Sequence, residues 1–238
     1  KHLFASFFGI ILEEVIMKKK RKKLDIIYED KEILVVNKPA KLLCISTEKE
    51  KERTLYHEVS DYVKKSNPKA KIFIIHRLDK DTSGIVMFAK NKNVKYAYQN
   101  SWDNLAIKRG YVAIVKGMLD KKHDTIKSYL KETKTLMVYS SKNRKDGNLA
   151  ITKYNVIKEN NNYSMLDVEI KTGRKNQIRV QLSDINHPIL GDVKYGDKKS
   201  RYNRLFLHAN YLAIKNYKTK KIMEFESKVP KEFNNLFL

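Results

Sequence analysis

Short apolar runs separated by polar turns recur along most of the chain, and most have the length of strands. Residues 25–28 and 33–36 read as two strands around the polar turn Glu29-Asp-Lys31. Thr54 can cap a helix whose apolar face is Leu55, Val59, Tyr62 and Val63. Residues 72–75 and 85–89 are β-rich runs, so 76–84 between them must be a loop joining two strands. A second helix fits about 94–105, with Tyr98, Trp102 and Leu105 on one side. Strands are expected at 111–115, 125–130, 137–140, 150–157 and 165–171, with turn signals at Gly147-Asn148 and Asn160-Asn-Asn162. Residues 177–183 are ambiguous: Ile178, Val180 and Leu182 alternate as in a strand, but so short a segment can also be helical. Strands at 204–214 and 221–226, and a short helix after Pro230, complete the pattern. Many strands and few helices in mixed order predict an α+β fold with a largely antiparallel sheet. There is no internal repeat.

Residues 1–16 differ in character from the rest of the chain. An apolar run at 3–12 is followed at once by Glu13 and Glu14, with no small-residue cleavage site, and it is too short to span a bilayer. Met17 opens the basic run 17–23. The expected organisation is therefore a leader and basic tail over 1–23, with a natural start at Met17, and one catalytic domain over 24–238.

Charge narrows the partners. Lys and Arg number 50 against 27 Asp and Glu, a net charge of +23. So much charge repels itself unless an anionic partner screens it, which favours nucleic acid over a membrane surface. Nine of the 50 are arginines, so lysine excess of compositional origin is the competing explanation. The single cysteine, Cys44, excludes an intramolecular disulfide framework and fits a reducing, cytoplasmic setting. A length of 238 residues suffices for a core without staples. A monomer without membrane contact is the default expectation.

The densest polar cluster is His76-Arg-Leu-Asp-Lys-Asp-Thr-Ser-Gly84, held between two apolar runs. A carboxylate beside cations in a loop fixed at both ends suits a nucleophile or base, because the cations keep it ionised. A salt-bridged surface loop would have the same composition. A second cluster, 171–181, carries Arg174 and Arg179, whose planar guanidinium groups suit carboxylate or phosphate. A third, 187–196, is a turn-rich loop. His76, His187 and His208 lack zinc-type spacing, and neither a Walker loop nor a dinucleotide fingerprint occurs, so no metal or cofactor is expected.

Taken together the clusters become specific. His76-Arg-Leu-Asp-x-x-Thr-Ser-Gly84, Lys108-x-x-Tyr-x-Ala-Ile-Val-x-Gly117, Thr172-Gly-Arg-x-x-Gln-Ile-Arg179, His187-Pro-Ile-x-Gly-Asp-x-x-Tyr-Gly196 and Leu205-x-Leu-His-Ala209 occur in that order. This set resembles the RluA/RluD-type pseudouridine synthases, and Ile33-Leu-Val-Val-Asn-Lys-Pro-Ala40 is similar to that family's opening strand and turn. The resemblance spans about 24–237. It implies the pseudouridine synthase fold, a mixed, mostly antiparallel central sheet flanked by helices and loops around an active-site cleft.

It also implies the chemistry: cofactor-free isomerisation of uridine to pseudouridine in structured RNA, by breaking the N1–C1′ bond, turning the uracil and joining C5 to C1′. Asp79 corresponds to the essential carboxylate, acting as nucleophile or sugar-proton base, and Asp81 is its rival. Tyr111 corresponds to the active-site tyrosine that stacks on uracil and helps remove the C5 proton. Arg179 corresponds to the arginine that pairs with the carboxylate. Arg77, Arg174 and Lys108 are candidates for RNA contact, with Leu207, Ile178 and Ile189 as apolar walls or plain core. Asn176 and Gln181 stand where the family commonly has histidine, so altered packing or RNA contact is expected there. Ribosomal RNA of the large subunit is the first expected substrate, transfer RNA the second, and a non-catalytic RNA chaperone of the same fold the rival class.

Overall fold

Eleven strands join in one sheet in the computed structural model, which describes residues 24–48 and 50–238. They are β1 (Ile26–Glu29), β2 (Ile33–Lys38), β3 (Phe73–Ile74), β4 (Ser83–Ala89), β5 (Ala106–Lys116), β6 (His123–Glu132), β7 (Val138–Ser141), β8 (Asn148–Glu159), β9 (Tyr163–Ile170), β10 (Leu207–Lys215) and β11 (Ile222–Glu226). The helices are α1 (Leu55–Ser66), α2 (Lys92–Asn100), α3 (Trp102–Leu105), α4 (Gln177–Asp184) and α5 (Lys231–Asn234). The strand order is β1-β2-β4-β10-β5-β9-β8-β6-β7, with β3 also on β4 and β11 on β10. Every pair is antiparallel except β4 with β10, so the expected mixed, mostly antiparallel α+β sheet is present. The expectations for residues 1–23 lie outside the described residues.

Unbroken apolar runs become strands buried on both faces. Along β2, Leu34 and Val36 join Leu55 and Val59 of α1, while Ile33 and Val35 join Val94 and Tyr98 of α2. On β4, Val86 and Phe88 face the first group, Ile85 and Met87 the second. The Thr54 hydroxyl caps α1 by accepting from the His57 N–H at 3.2 Å, as its position suggests. A third apolar group packs Tyr111 and Ala113 of β5 with Leu166 and Val168 of β9 under Ile178 and Leu182 of α4.

Three expectations change and one ambiguity resolves. The helix expected near 94–105 is two helices divided at Ser101, and the first starts earlier because the Asn91 side chain caps it by accepting from the Val94 N–H. The strand expected at 72–75 keeps only two residues, and the one expected at 204–214 begins at Leu207. The ambiguous segment 177–183 is helical: Asn176 takes a left-handed turn (φ 53°) and α4 follows at once. Its residues Gln177 to Leu182 are all buried, so no polar face betrays the helical period.

Candidate active site

The loop ahead of β4 carries Asp79, and its neighbours in the chain are anchored from several directions. Cys44 Sγ lies 3.3 Å from both the N–H and the carbonyl of Leu78, so the cysteine holds the loop rather than merely filling space. On the other side, Lys38 Nζ donates to the Lys80 carbonyl at 2.9 Å and to the carbonyls of Pro39 and Leu42 at 2.9 and 2.8 Å. Lys38 is fully buried, and burial lowers its pKa to about 8. Three carbonyl dipoles use all three ammonium donors and offset that desolvation. Farther along, Ser83 Oγ lies 2.8 Å from His208 Nδ1 and accepts from Arg204 Nη2 at 2.7 Å. Gly84 sits at φ 119°, where an added Cβ would meet the Ala209 carbonyl oxygen at 2.2 Å, so only glycine lets β4 pair with β10.

Asp79 faces a cleft of about 90 Å³. Arg77, Thr82 and Tyr111 line it on the side of the Asp79 loop and β5; Gly173, Arg174, Asn176 and Arg179 line it on the side of α4. Leu207, Ile178 and Ile170 supply apolar wall. Ile189 does not reach the cleft and packs in the core as a bridge partner of Val115. Lys108 is also absent from the lining: its ammonium lies 5.2 Å from the Tyr211 ring. Asp81, the rival carboxylate, does not line the cleft either.

Arg179 binds Asp192 first. Its Nε and Nη2 donate to the two Asp192 oxygens at 2.7 and 2.8 Å, and Nη1 donates to Asn176 Oδ1 at 3.2 Å. The same Nη1 lies 3.9 Å from Asp79 Oδ2. The arginine expected to pair with Asp79 does face it, at the long end of ion-pair distance, while its two-pronged partner is Asp192. Asp192 in turn accepts from the N–H groups of Lys194 and Tyr195. Burial works to raise the Asp192 pKa, but these donors and the guanidinium hold it below the ordinary carboxylate value.

Asp79 behaves oppositely. Burial raises its pKa above the ordinary value and outweighs the opposing pull of Arg179, while Asp81 adds to the rise and Lys38 opposes it. The expected cation-stabilised carboxylate is thus a more basic one, because the long contact to Arg179 and the more distant lysines do not offset its desolvation. Burial likewise pushes the Tyr111 phenol up to about 12, so it carries its proton at neutral pH. A basic carboxylate, a protonated ring hydroxyl and apolar wall in a narrow cleft can bind a flat base and handle protons or an electrophilic carbon beside it.

The remaining residues that sequence reading singled out are structural. His76 accepts from the Met87 N–H and stacks on Trp102 at 4.8 Å between ring centres, and His187 Nδ1 lies 2.9 Å from the Lys116 carbonyl. Among the described residues no cluster of three or more His, Cys, Asp or Glu could hold a metal. Gln181 packs under the sheet, donating to Ser128 Oγ and the Ala150 carbonyl, while Asn176 donates to Tyr195 Oη. The residues that sequence reasoning missed are Lys38, Asp192 and Tyr195, whose ring lies 5.2 Å from the Arg179 guanidinium. The Asp192-x-x-Tyr spacing was visible, but nothing local showed which cation it serves.

The chain is 32% identical over 218 residues to the uncharacterized RNA pseudouridine synthase YhcT of Bacillus subtilis, covering 90% of this chain and 71% of that one. It is 34% identical over 215 residues to ribosomal large subunit pseudouridine synthase D of Borreliella burgdorferi, covering 87% and 66%. Its fold is that of human RNA pseudouridylate synthase domain containing 4, with a TM-score of 0.74 at 22% identity over 96% and 95% of the two chains. The family profile described as RNA pseudouridylate synthase matches residues 32–184, and the chain belongs to that family of RNA isomerases.

Proposed function

We propose that this enzyme converts uridine to pseudouridine in ribosomal RNA of the large subunit, with Asp79 as the reacting carboxylate. The observation that supports the assignment is the placement of Asp79 in the cleft within 3.9 Å of a guanidinium whose orientation Asp192 fixes. The ribosomal substrate follows the function in the name of the Borreliella burgdorferi relative. Extruding the base costs a few kcal/mol, and phosphate contacts from a chain of net charge +23 offset it.

In this reading the extruded uracil lies against Tyr111, with Arg77 and Arg174 at the rim. Asp79 then acts at the ribose, either on C1′ or on a sugar proton. Its raised pKa makes the ionised form a stronger nucleophile and base than an exposed aspartate. After the base turns and C5 joins C1′, the C5 proton must leave. A phenol with a pKa near 12 accepts it only while giving up its own, and Asp79, close enough to perturb the tyrosine, is the acceptor that balances the step.

The test is single-turnover pseudouridine formation on large-subunit ribosomal RNA. Wild type should form pseudouridine, and Asp79→Asn should be slower by more than about a thousandfold at equal RNA affinity. Equal yields from the two proteins overturn the role of Asp79. Pseudouridines lost from transfer RNA, and not from ribosomal RNA, in a strain lacking the gene overturn the substrate.

A further inference from the structure

The sheet has a second exposed face, on the side of β6, β7 and β8 turned away from α4. Strand alternation sorts the residues. Val138, Leu130 and Ala150 are buried with Val180 of α4. Their neighbours Tyr139, Tyr129, Lys131, Lys127, Leu149 and Lys153 therefore project to the other side. Register places Lys131 directly opposite Tyr139, and Tyr129 opposite both Ser141 and Leu149. Tyr129 and Tyr139 are thus diagonal neighbours on one surface. Tyr139 keeps 41% of its surface exposed and Leu149 40%.

Three features set this face apart from an ordinary solvated sheet. Lys127, Lys131 and Lys153 make no ion pair among the described residues, although many other surface lysines do. No acidic residue of β6, β7 or β8 alternates to this side, and acids adjoin it only at its borders: Asp146, which accepts from Ser141 Oγ, and Glu169 of β9, which opposes Lys153 and is held by Lys171. And the face abuts the catalytic cleft: Arg174, which lines the cleft, donates from Nε to the Leu149 carbonyl at 3.0 Å. At its far end, β6 and β8 border a shallow hollow of about 410 Å³ lined by Lys121, His123 and Lys153, and by Asp124, which pairs with Lys121.

We propose that this face is a second RNA subsite, which holds single-stranded nucleotides flanking the target. A strand leaving the cleft past Arg174 meets Leu149, then Tyr129 and Tyr139, with Lys127, Lys131 and Lys153 spaced beside the rings. Bases stack on the tyrosines regardless of sequence, and phosphates meet the lysines. A single strand fits and a duplex does not, because paired bases keep their faces covered. The proposal rests on the enzyme acting on RNA, but not on Asp79 chemistry.

The experiment compares the full chain with Tyr129→Ala/Tyr139→Ala on two probes: an RNA hairpin with a single-stranded oligouridylate tail, and the same hairpin blunt. The double variant should bind the tailed hairpin at least about tenfold more weakly and the blunt one equally well. Tyr129→Phe/Tyr139→Phe keeps both rings and should bind like wild type. Lys127→Ala/Lys131→Ala/Lys153→Ala should flatten the salt dependence for the tailed probe by about two in slope. Equal losses on both probes, no loss on either, or weakened binding by the phenylalanine pair would overturn the subsite. Pseudouridine yield is followed in parallel: tail-dependent binding by a wild type that modifies no uridine would sink the catalytic reading and leave the subsite standing.

Discussion

The two faces of this sheet handle charge in opposite ways. Around the cleft, Arg179, Asp192 and Lys38 are buried, and each is locked to partners at hydrogen-bond distance. On the side turned away, Lys127, Lys131 and Lys153 are exposed and none has an ion-pair partner among the described residues. Buried charges with fixed partners hold the reacting geometry and resist change; exposed charges without partners are free to pair with something outside the molecule. Asp79 lies between these extremes, with 30% of its side chain exposed and only a 3.9 Å contact for compensation, as a group that must react requires.

The comparison breaks most sharply at Asp192. Asp192→Asn leaves the buried Arg179 charge with only its long contact to Asp79, so stability should fall by about 3–5 kcal/mol in denaturant unfolding. The same change on the other face has no counterpart. The buried histidines come next. His208, pushed down to about 4 by burial, and His76, down to about 3, stay neutral in the folded state. Their folded pKa values lie below the unfolded value near 6.5. The stability they contribute is therefore complete above that pH and is lost as pH falls through the window from about 6.5 to 4 and then 3. Thermal unfolding followed from pH 7 to 4 should show the melting temperature falling, and His208→Gln should flatten the fall if it folds.

Smaller in energy but more specific is Arg179→Lys. Losing the fork removes part of what opposes desolvation at Asp79, so its pKa rises further. The acidic limb of the single-turnover pH–rate profile should move to higher pH; an unmoved limb separates Arg179 from Asp79 electrostatics. Smallest of all, Lys127→Ala should leave unfolding free energy within about 0.5 kcal/mol of wild type. A larger loss would mean that the outer lysines are structural after all.

Much of this was legible in the chain itself. The unbroken apolar run Ile33-Leu-Val-Val36 marks a strand, and the Thr54 cap marks α1, because those signals are local. The ordered motifs around Asp79, Tyr111 and Arg179 already group the residues that meet in the cleft. What was hidden is non-local. The helical state of 177–182 is masked by complete burial, and the break at Ser101 by apolar spacing that continues across it. That Arg179 spends its two prongs on Asp192 depends on how α4 meets the following loop, which neither segment encodes alone. Lys38 is one of 41 lysines, and only the three carbonyls converging on it tell it apart.

That last residue has a practical consequence. Lys38 is the only buried lysine among the described residues, and its ammonium is enclosed by the turn after β2 and the loop before β4. An amine-directed acylating reagent will therefore label the other described lysines from solution and reach Lys38 only when those two segments separate. The rate at which that single site becomes labelled is a built-in clock for opening of the loop that carries Asp79, readable by mass spectrometry without altering a residue.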